Sequence, residues 1–370
     1  MKSPVTIPGP LRQIPWRMII PLTGLVSFGA LVLDSAAGGV FETYAASHLT
    51  RFGIFLCLAL AMTFVPRDLP EKMALPGYAL VLLLLIAVEI LGAVGGGSQR
   101  WLNLGPIVLQ PSELMKPTIV LVLAWYYHGL PTGMIGSWRS FLPAAALIGV
   151  PMALVLVQPD LGTSLAITFG GVVVLFLAGL PMRLFMGGAA AAAVIAPLAF
   201  FFGLREYQRN RVLVFLDPES DPLGTGYHIT QSKIAIGSGG IFGKGFGEGS
   251  QSQLDYLPEP HTDFVFATMA EEFGLVGGLL VLLIFGIVLR WGWGVARDGQ
   301  DRFSRLLAGG MVATIFFYVA INLMMVMGLA PVVGIPLPFM SHGGSSMLTN
   351  MICIGTLMMV DRWNRRSPGI

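Results

Sequence analysis

Along this chain, long apolar runs alternate with short polar breaks, and most of the runs match a bilayer crossing in length. A spanning helix needs about 20 mostly apolar residues. Ten stretches are read as such spans: 17–35, 52–66, 73–95, 116–132, 140–158, 161–181, 184–203, 264–289, 305–329 and 338–360. The pattern predicts an all-α polytopic integral membrane protein, with about ten transmembrane helices in a single transmembrane domain over residues 1–370. The second run is the shortest, and its ends are the least marked. Lys2, Arg12 and Arg17 precede the first run as they would a signal peptide. Nine further spans and no clear cleavage site point instead to a retained first helix.

One connection is long. Residues 204–263, between the seventh and eighth helices, are polar and rich in Gly and contain REYQRNR and DPESDPLGTGYH. Loops of this length are usually functional or linkers. Tyr207, Phe215, Tyr227, Ile234 and Ile236 give this one apolar residues to pack with, so the expectation is a cap folded back on the helix bundle.

Composition agrees with the membrane reading. Of 370 residues, 55% are hydrophobic and 11% charged, and the mean hydropathy is +0.76. Soluble domains carry about 25% charge. A net charge of +2 is too small to indicate a nucleic-acid partner. Cys57 and Cys353 lie within apolar runs and read as small hydrophobes.

Charge also sets the orientation, because Lys and Arg of short loops stay on the cytoplasmic side. With both termini inside, Lys2, Arg12, Arg17, Arg67, Lys72, Arg139, Arg183, Arg290, Arg297, Arg302, Arg305, Arg362, Arg365 and Arg366 are cytoplasmic. The outer short connections then hold only Arg51, Arg100 and Lys116, and the 204–263 loop is external.

On that outer side, acids recur at helix starts. LQPSELMK (109–116) opens the fourth helix with Glu113 and Lys116. VQPDLGTS (157–164) opens the sixth with Asp160. LPEPHTDFVFATMAEE (257–272) opens the eighth with Asp263, beside Glu259 and His261. One reading is capping, since a carboxylate at a helix start satisfies free N–H groups and complements the dipole. The other is chemistry, for which the crowding of Asp263 is the strongest sign. Glu113, Asp160 and Asp263, on three helices at one depth, offer oxygen ligands to a hard divalent cation such as Mg or Mn. A carboxylate–Lys116 network would satisfy the same groups without an ion. Glu89, Glu271 and Glu272 lie inside apolar runs, where charge is costly and is either functional or paired in a buried network. His48, His128 and His228 are scattered. No Walker loop, nucleotide fingerprint or zinc-type H-E-x-x-H occurs, so no organic cofactor is expected.

Several ordered stretches together resemble one family. They are QRWLNLG, QPSELMK, QPDLGTS, DPESDPLGTGYHITQSKIAIGSGG, LPEPHTDFVFA, and N-x5-GLAPVVGIPLPFMSHGGSS at 322–346. The chain is similar to SEDS proteins (shape, elongation, division and sporulation) over nearly its whole length, and to the elongation branch more than the division branch. The resemblance implies a peptidoglycan glycosyltransferase that polymerises lipid II on the outer face of the bacterial cytoplasmic membrane during elongation. It implies a class B penicillin-binding protein as transpeptidase partner, alongside other membrane proteins of the elongation complex. The family's essential Asp falls on Asp263, and Glu113 and Lys116 fall on sensitive polar positions of the same cavity. The family usually has Tyr where this chain has His342, after Ser341, and elongation members often have Arg where it has Pro260.

The chemistry fits those residues. A carboxylate can take the proton from an acceptor hydroxyl as it attacks the donor sugar. The departing lipid pyrophosphate calls for positive charge. Lys116, Arg209 and Arg211 are candidates, although Arg209 and Arg211 also read as plain surface charges. With Asp160, His261, Ser341 and His342, these residues make up the expected substrate side. A lipid II flippase and a non-catalytic scaffold remain as rival readings of the same helices.

Overall fold

The computed structural model describes residues 14–95, 98–103, 108–203, 206–217, 221, 224–254, 256–257 and 259–366. Seven helices among them are long and apolar enough to cross a membrane: α1 (Trp16–Ala36), α2 (Ala45–Thr63), α3 (Asp68–Leu91), α5 (Trp138–Val157), α6 (Leu161–Ala178), α11 (Val265–Arg297) and α12 (Arg302–Val326). Three more complete the bundle: α4 (Pro111–His128), α7 (Met182–Leu198, continued by a π-turn) and α13 (Gly344–Arg366). Buried polar side chains such as Glu113 and Lys116 on α4 and Asn350 on α13 lower the hydropathy of those two. α12 is the most buried span and packs against α4, α6, α11 and α13. At its centre Gly310 lets α4 come close, because a Cβ there would meet Val120 Cγ1 at 2.4 Å.

Three features depart from the sequence reading. The connection after α3 forms a small antiparallel sheet, β1 (Ala93–Gly95), β2 (Ser98–Asn103) and β3 (Val108–Leu109), in the order β1-β2-β3. The second span starts at Ala45, not at 52, which draws His48 and Arg51 into its first turns. The last starts at Gly344, not at 338, because residues 338–340 form a turn in which Phe339 has φ 64° and Ser341 N–H donates to the Leu337 carbonyl at 3.1 Å.

The long connection carries α8 (Glu206–Leu216), α9 (Thr225–Ser238) and the single turn α10 (Ser250–Gln253). It packs on the bundle, with α9 against α11 and α12 and Ser232 Oγ donating to the Val326 carbonyl at 2.7 Å. Val214, Ile229 and Ala235 supply its buried face. Phe215, Tyr227 and Ile236 are half-buried and Ile234 is exposed, while the Tyr207 side chain lies outside the described residues.

The glycine-rich end of this connection repairs a break in α11. Gly274 has φ 62° and ψ −158°, which interrupts the helical hydrogen bonds. Inside a membrane the freed groups must find partners within the protein. The Glu271 and Glu272 carbonyls accept from Lys244 and Gly245 N–H, each at 3.0 Å. Leu275 and Val276 N–H donate to the Gly240 and Ile241 carbonyls at 2.9 and 3.1 Å. The fit requires glycine on both sides, since a Cβ on Gly274 would lie 2.4 Å from Gly243 N, and Gly243 itself has φ 81°.

Candidate active site

Asp263 sits in the turn that leads from the cap into α11. Two segments hold that turn from behind. Asn322, on α12, donates from Nδ2 to the Asp263 carbonyl at 2.8 Å and to the Ile335 carbonyl at 2.7 Å. Ser341 Oγ donates to the Thr262 carbonyl at 2.6 Å and accepts from Leu337 N–H at 2.8 Å, and His342 N–H donates to the His261 carbonyl at 2.8 Å. The segment before α13 thus runs beside residues 261–263. Gly334, with φ 71°, faces the carboxylate, and a Cβ on it would sit 3.5 Å from Asp263 Oδ2.

The Asp263 carboxylate does not cap α11, whose start has no side-chain cap. It is half-buried, and burial pushes its pKa up to about 6. The negative charge of Glu259 adds to the rise and Arg211 opposes it. His261 stacks on Tyr44 at 4.2 Å between ring centroids, with its Nε2 3.5 Å from Glu259 Oε2. Burial lowers the pKa of His261, against the pull of Glu259. His342 is lowered to about 4 by burial and by Arg51. Arg51 Nη1 donates to His342 Nε2 at 3.1 Å. A guanidinium can only donate, so Nε2 is bare and the ring proton is on Nδ1. His342 thus presents an acceptor to Arg51.

The other two acids are already satisfied. Asp160 caps α6, accepting from Thr163 N–H at 3.0 Å, and its second oxygen accepts from Gln110 Nε2 at 3.3 Å with Arg100 Nη1 3.8 Å away. Glu113 is buried with Lys116 and Tyr318. Lys116 Nζ donates to Glu113 Oε1 at 2.5 Å and to the Tyr318 hydroxyl at 2.6 Å, and that hydroxyl donates to Glu113 Oε2. The expected cation held jointly by Glu113, Asp160 and Asp263 therefore does not fit. Their oxygens do not converge, and two of the three carboxylates are filled from within the protein. Among the described residues, the one trio close enough to share an ion is Glu71, His128 and Asp301, where Asp301 is already held by Arg67 and by Ser304 N–H.

Arg211 and Arg209 both lie on α8, half-buried. Arg211 acts on Asp263 electrostatically, and the Arg209 guanidinium lies 5.5 Å from the Phe200 ring. The buried glutamates pair locally: Lys244 Nζ meets Glu271 Oε1 at 2.6 Å, and Ser35 Oγ donates to Glu272. Tyr44, Arg51, Tyr318 and Asn322 complete the arrangement, and no sequence pattern marks the first three for it. Only Asn322, fixed in spacing before the GLAPVVG segment, carried a signal.

Fold and site define a multi-pass helical membrane protein with a carboxylate of raised pKa at one mouth of the bundle. The family model for the FtsW/RodA/SpoVE cell cycle proteins matches residues 15–366. Peptidoglycan glycosyltransferase MrdB of Escherichia coli (strain K12) is 42% identical over 348 residues, covering 93% of this chain and 92% of that protein. Stage V sporulation protein E of Bacillus subtilis (strain 168) is 37% identical over 289 residues, 77% of each. A chain from the peptidoglycan synthase complex solved for the structural coordination of polymerization and crosslinking superposes with TM-score 0.82 at 33% identity, over 95% of this chain and 98% of its own. The Thermus thermophilus rod shape determining protein RodA gives 0.71 at 30% identity, over 94% and 97%. The chain belongs to the SEDS family, the family of FtsW, RodA and SpoVE.

Proposed function

We propose that this chain is a peptidoglycan glycosyltransferase that polymerises lipid II on the outer face of the bacterial cytoplasmic membrane during cell elongation. Relatives named peptidoglycan glycosyltransferase support the reaction class. The observation that carries it is the state of the three outer acids. Asp160 and Glu113 are bound up in capping and in an ion pair, whereas Asp263 caps nothing and feels the opposed charges of Glu259 and Arg211.

In this account Asp263 is the general base. The acceptor sugar hydroxyl gives its proton to the Asp263 carboxylate as its oxygen bonds to the donor's anomeric carbon. The bond from that carbon to the lipid pyrophosphate breaks, and the pyrophosphate leaves with the electron pair. A pKa of about 6 makes the carboxylate a better proton acceptor than an ordinary one while leaving it mostly ionised at pH 7. Arg211 keeps it ionised, and with Arg209 it offers guanidinium forks to the diphosphate oxygens. Ser341 and His342 fix the turn around the base that His261 belongs to, and Asp160 and the Glu113–Lys116 pair order the first turns of α6 and α4.

A class B penicillin-binding protein is the proposed partner, supported by the likeness to a chain of a peptidoglycan synthase complex. Purified protein given labelled lipid II, with and without that partner, tests the reading. Glycan polymer is the expected product. Translocation of lipid II into vesicles without polymer would make the protein a flippase instead.

A further inference from the structure

At the end of the bundle opposite Asp263, a cavity of about 710 Å³ opens between α1, α11 and α13. Its wall carries Arg17, Arg290, Arg297 and Arg365 together with Trp291 and Trp293. Two of the arginines are neutralised within the wall. Arg297 Nε lies 3.1 Å from Asp298 Oδ1, and Arg365 Nη2 lies 2.5 Å from Asp361 Oδ2. Arg17 and Arg290 have no ion-pair or hydrogen-bond partner among the described residues, and both acids of the wall are already used. Two guanidinium charges thus face one cavity from different helices with no countercharge from the protein.

Depth specifies the ligand. Arg290 follows the Gly274 break by about 24 Å of continuous helix at 1.5 Å per residue, and the segment from Val265 to Gly274 adds further length on the Asp263 side. The hydrocarbon core is about 30 Å thick, so Arg290, Trp291 and Trp293 stand at the headgroup level of the far leaflet. A guanidinium matches phosphate oxygens in a fork, and a tryptophan ring suits the boundary between headgroup and acyl chain. Basic pockets between helices at this level suit anionic headgroups. Arginines that served only to fix orientation would need no shared cavity and no flanking tryptophans.

We propose that this cavity is a binding site for the phosphate headgroup of an anionic phospholipid, with Arg17 and Arg290 on the phosphate and Trp293 against the glycerol region. On the topology above, the lipid belongs to the cytoplasmic leaflet. The site is independent of Asp263, so its test does not depend on the reaction.

The full-length protein in neutral detergent is titrated with phosphatidylglycerol, cardiolipin, phosphatidylcholine or inorganic phosphate. Thermal unfolding is followed, as is quenching of tryptophan emission by brominated phosphatidylglycerol. The two anionic lipids should raise the melting temperature and quench, and phosphatidylcholine and inorganic phosphate should do neither. Arg17→Gln with Arg290→Gln should weaken anionic-lipid binding roughly 10- to 30-fold, the product of two arginines near a charged surface. Arg183→Gln, which removes a cation outside the cavity, should leave it unchanged. Trp293→Phe should remove part of the quenching, and this readout stands even if the double variant fails to fold. Equal shifts with phosphatidylcholine, protection by inorganic phosphate as strong as by lipid, unaltered affinity in the double variant, or undiminished quenching in Trp293→Phe would overturn the proposal.

Discussion

The side-chain amide of Asn322 holds the backbone of Asp263, donating to its carbonyl at 2.8 Å while also donating to the Ile335 carbonyl at 2.7 Å. Asn322 is fully buried and lies one turn along α12 from Tyr318, which holds the Glu113–Lys116 pair. One face of α12 therefore holds both the turn of the proposed base and the Glu113–Lys116 ion pair. Asn322 is a positioning residue, and Asn322→Asp keeps its shape but turns the donor into an acceptor facing two carbonyls. Leaving buried acceptors unpaired costs roughly 1–3 kcal/mol. Polymerisation kinetics should show kcat lowered by roughly 10- to 100-fold, in line with that cost, and KM for lipid II little changed. A parent-like kcat in a folded Asn322→Asp protein would contradict the positioning role.

The pH profile should report Asp263 itself. Its pKa of about 6 implies a rate that rises as pH increases through about 6 and then levels. Glu259 raises this pKa and Arg211 lowers it. Glu259→Gln should therefore move the acidic limb to lower pH, and Arg211→Ala should move it to higher pH. Movement in the same direction for both would contradict the assignment. The shift has a stability consequence as well. The folded carboxyl ionises at about 6, above its unfolded value near 4. The resulting stabilisation is fully present below the unfolded pKa and is lost as pH rises through about 6. At pH 8 Asp263→Asn should melt no lower than the parent, as differential scanning fluorimetry can check.

Lys116 and Glu113 are both buried, so breaking the pair strands a charge. Lys116→Met should destabilise by about 3–5 kcal/mol. Lys116→Met combined with Glu113→Gln removes both charges and should recover much of that loss. A double variant as unstable as the single one in denaturant titration would show that the ion pair is not the source of the effect.

Topology is open to cysteine labelling in a Cys57→Ser background. Single cysteines at exposed Ser238 in the cap and at exposed Asp298 after α11 should react from opposite sides of intact cells, with Ser238 reached by an impermeant reagent from outside. Labelling of both from one side would contradict the orientation.

The sequence made the bundle legible because lipid selects apolar runs of fixed length, and the ten runs correspond to ten helices. Capping was legible at Asp160, where an acid precedes Leu161-Gly162-Thr163 and accepts from Thr163 N–H. What hydropathy could not reveal is where a polar residue finds its partner across the fold. Glu271 meets Lys244, which lies in a glycine-rich loop, and Glu113 meets Tyr318, 205 residues away. The break at Gly274 was hidden for the same reason, because its partners are backbone groups of residues 240–245. The proposed three-carboxylate ion site rested on equal depth alone, and depth does not bring side chains on separate helices within reach of one ion.

The central claim is that Asp263 is the base of a lipid II polymerase, and Asp263→Asn tests it most directly. The amide keeps the size and one oxygen but cannot take the proton. General-base contributions are typically 10²–10⁴-fold. The purified variant, given labelled lipid II together with the class B penicillin-binding protein, is read for glycan polymer on gels. A folded variant that binds the partner and makes at least 100-fold less polymer than the parent is the outcome the account predicts. A folded variant that polymerises lipid II at close to the parent rate would contradict it.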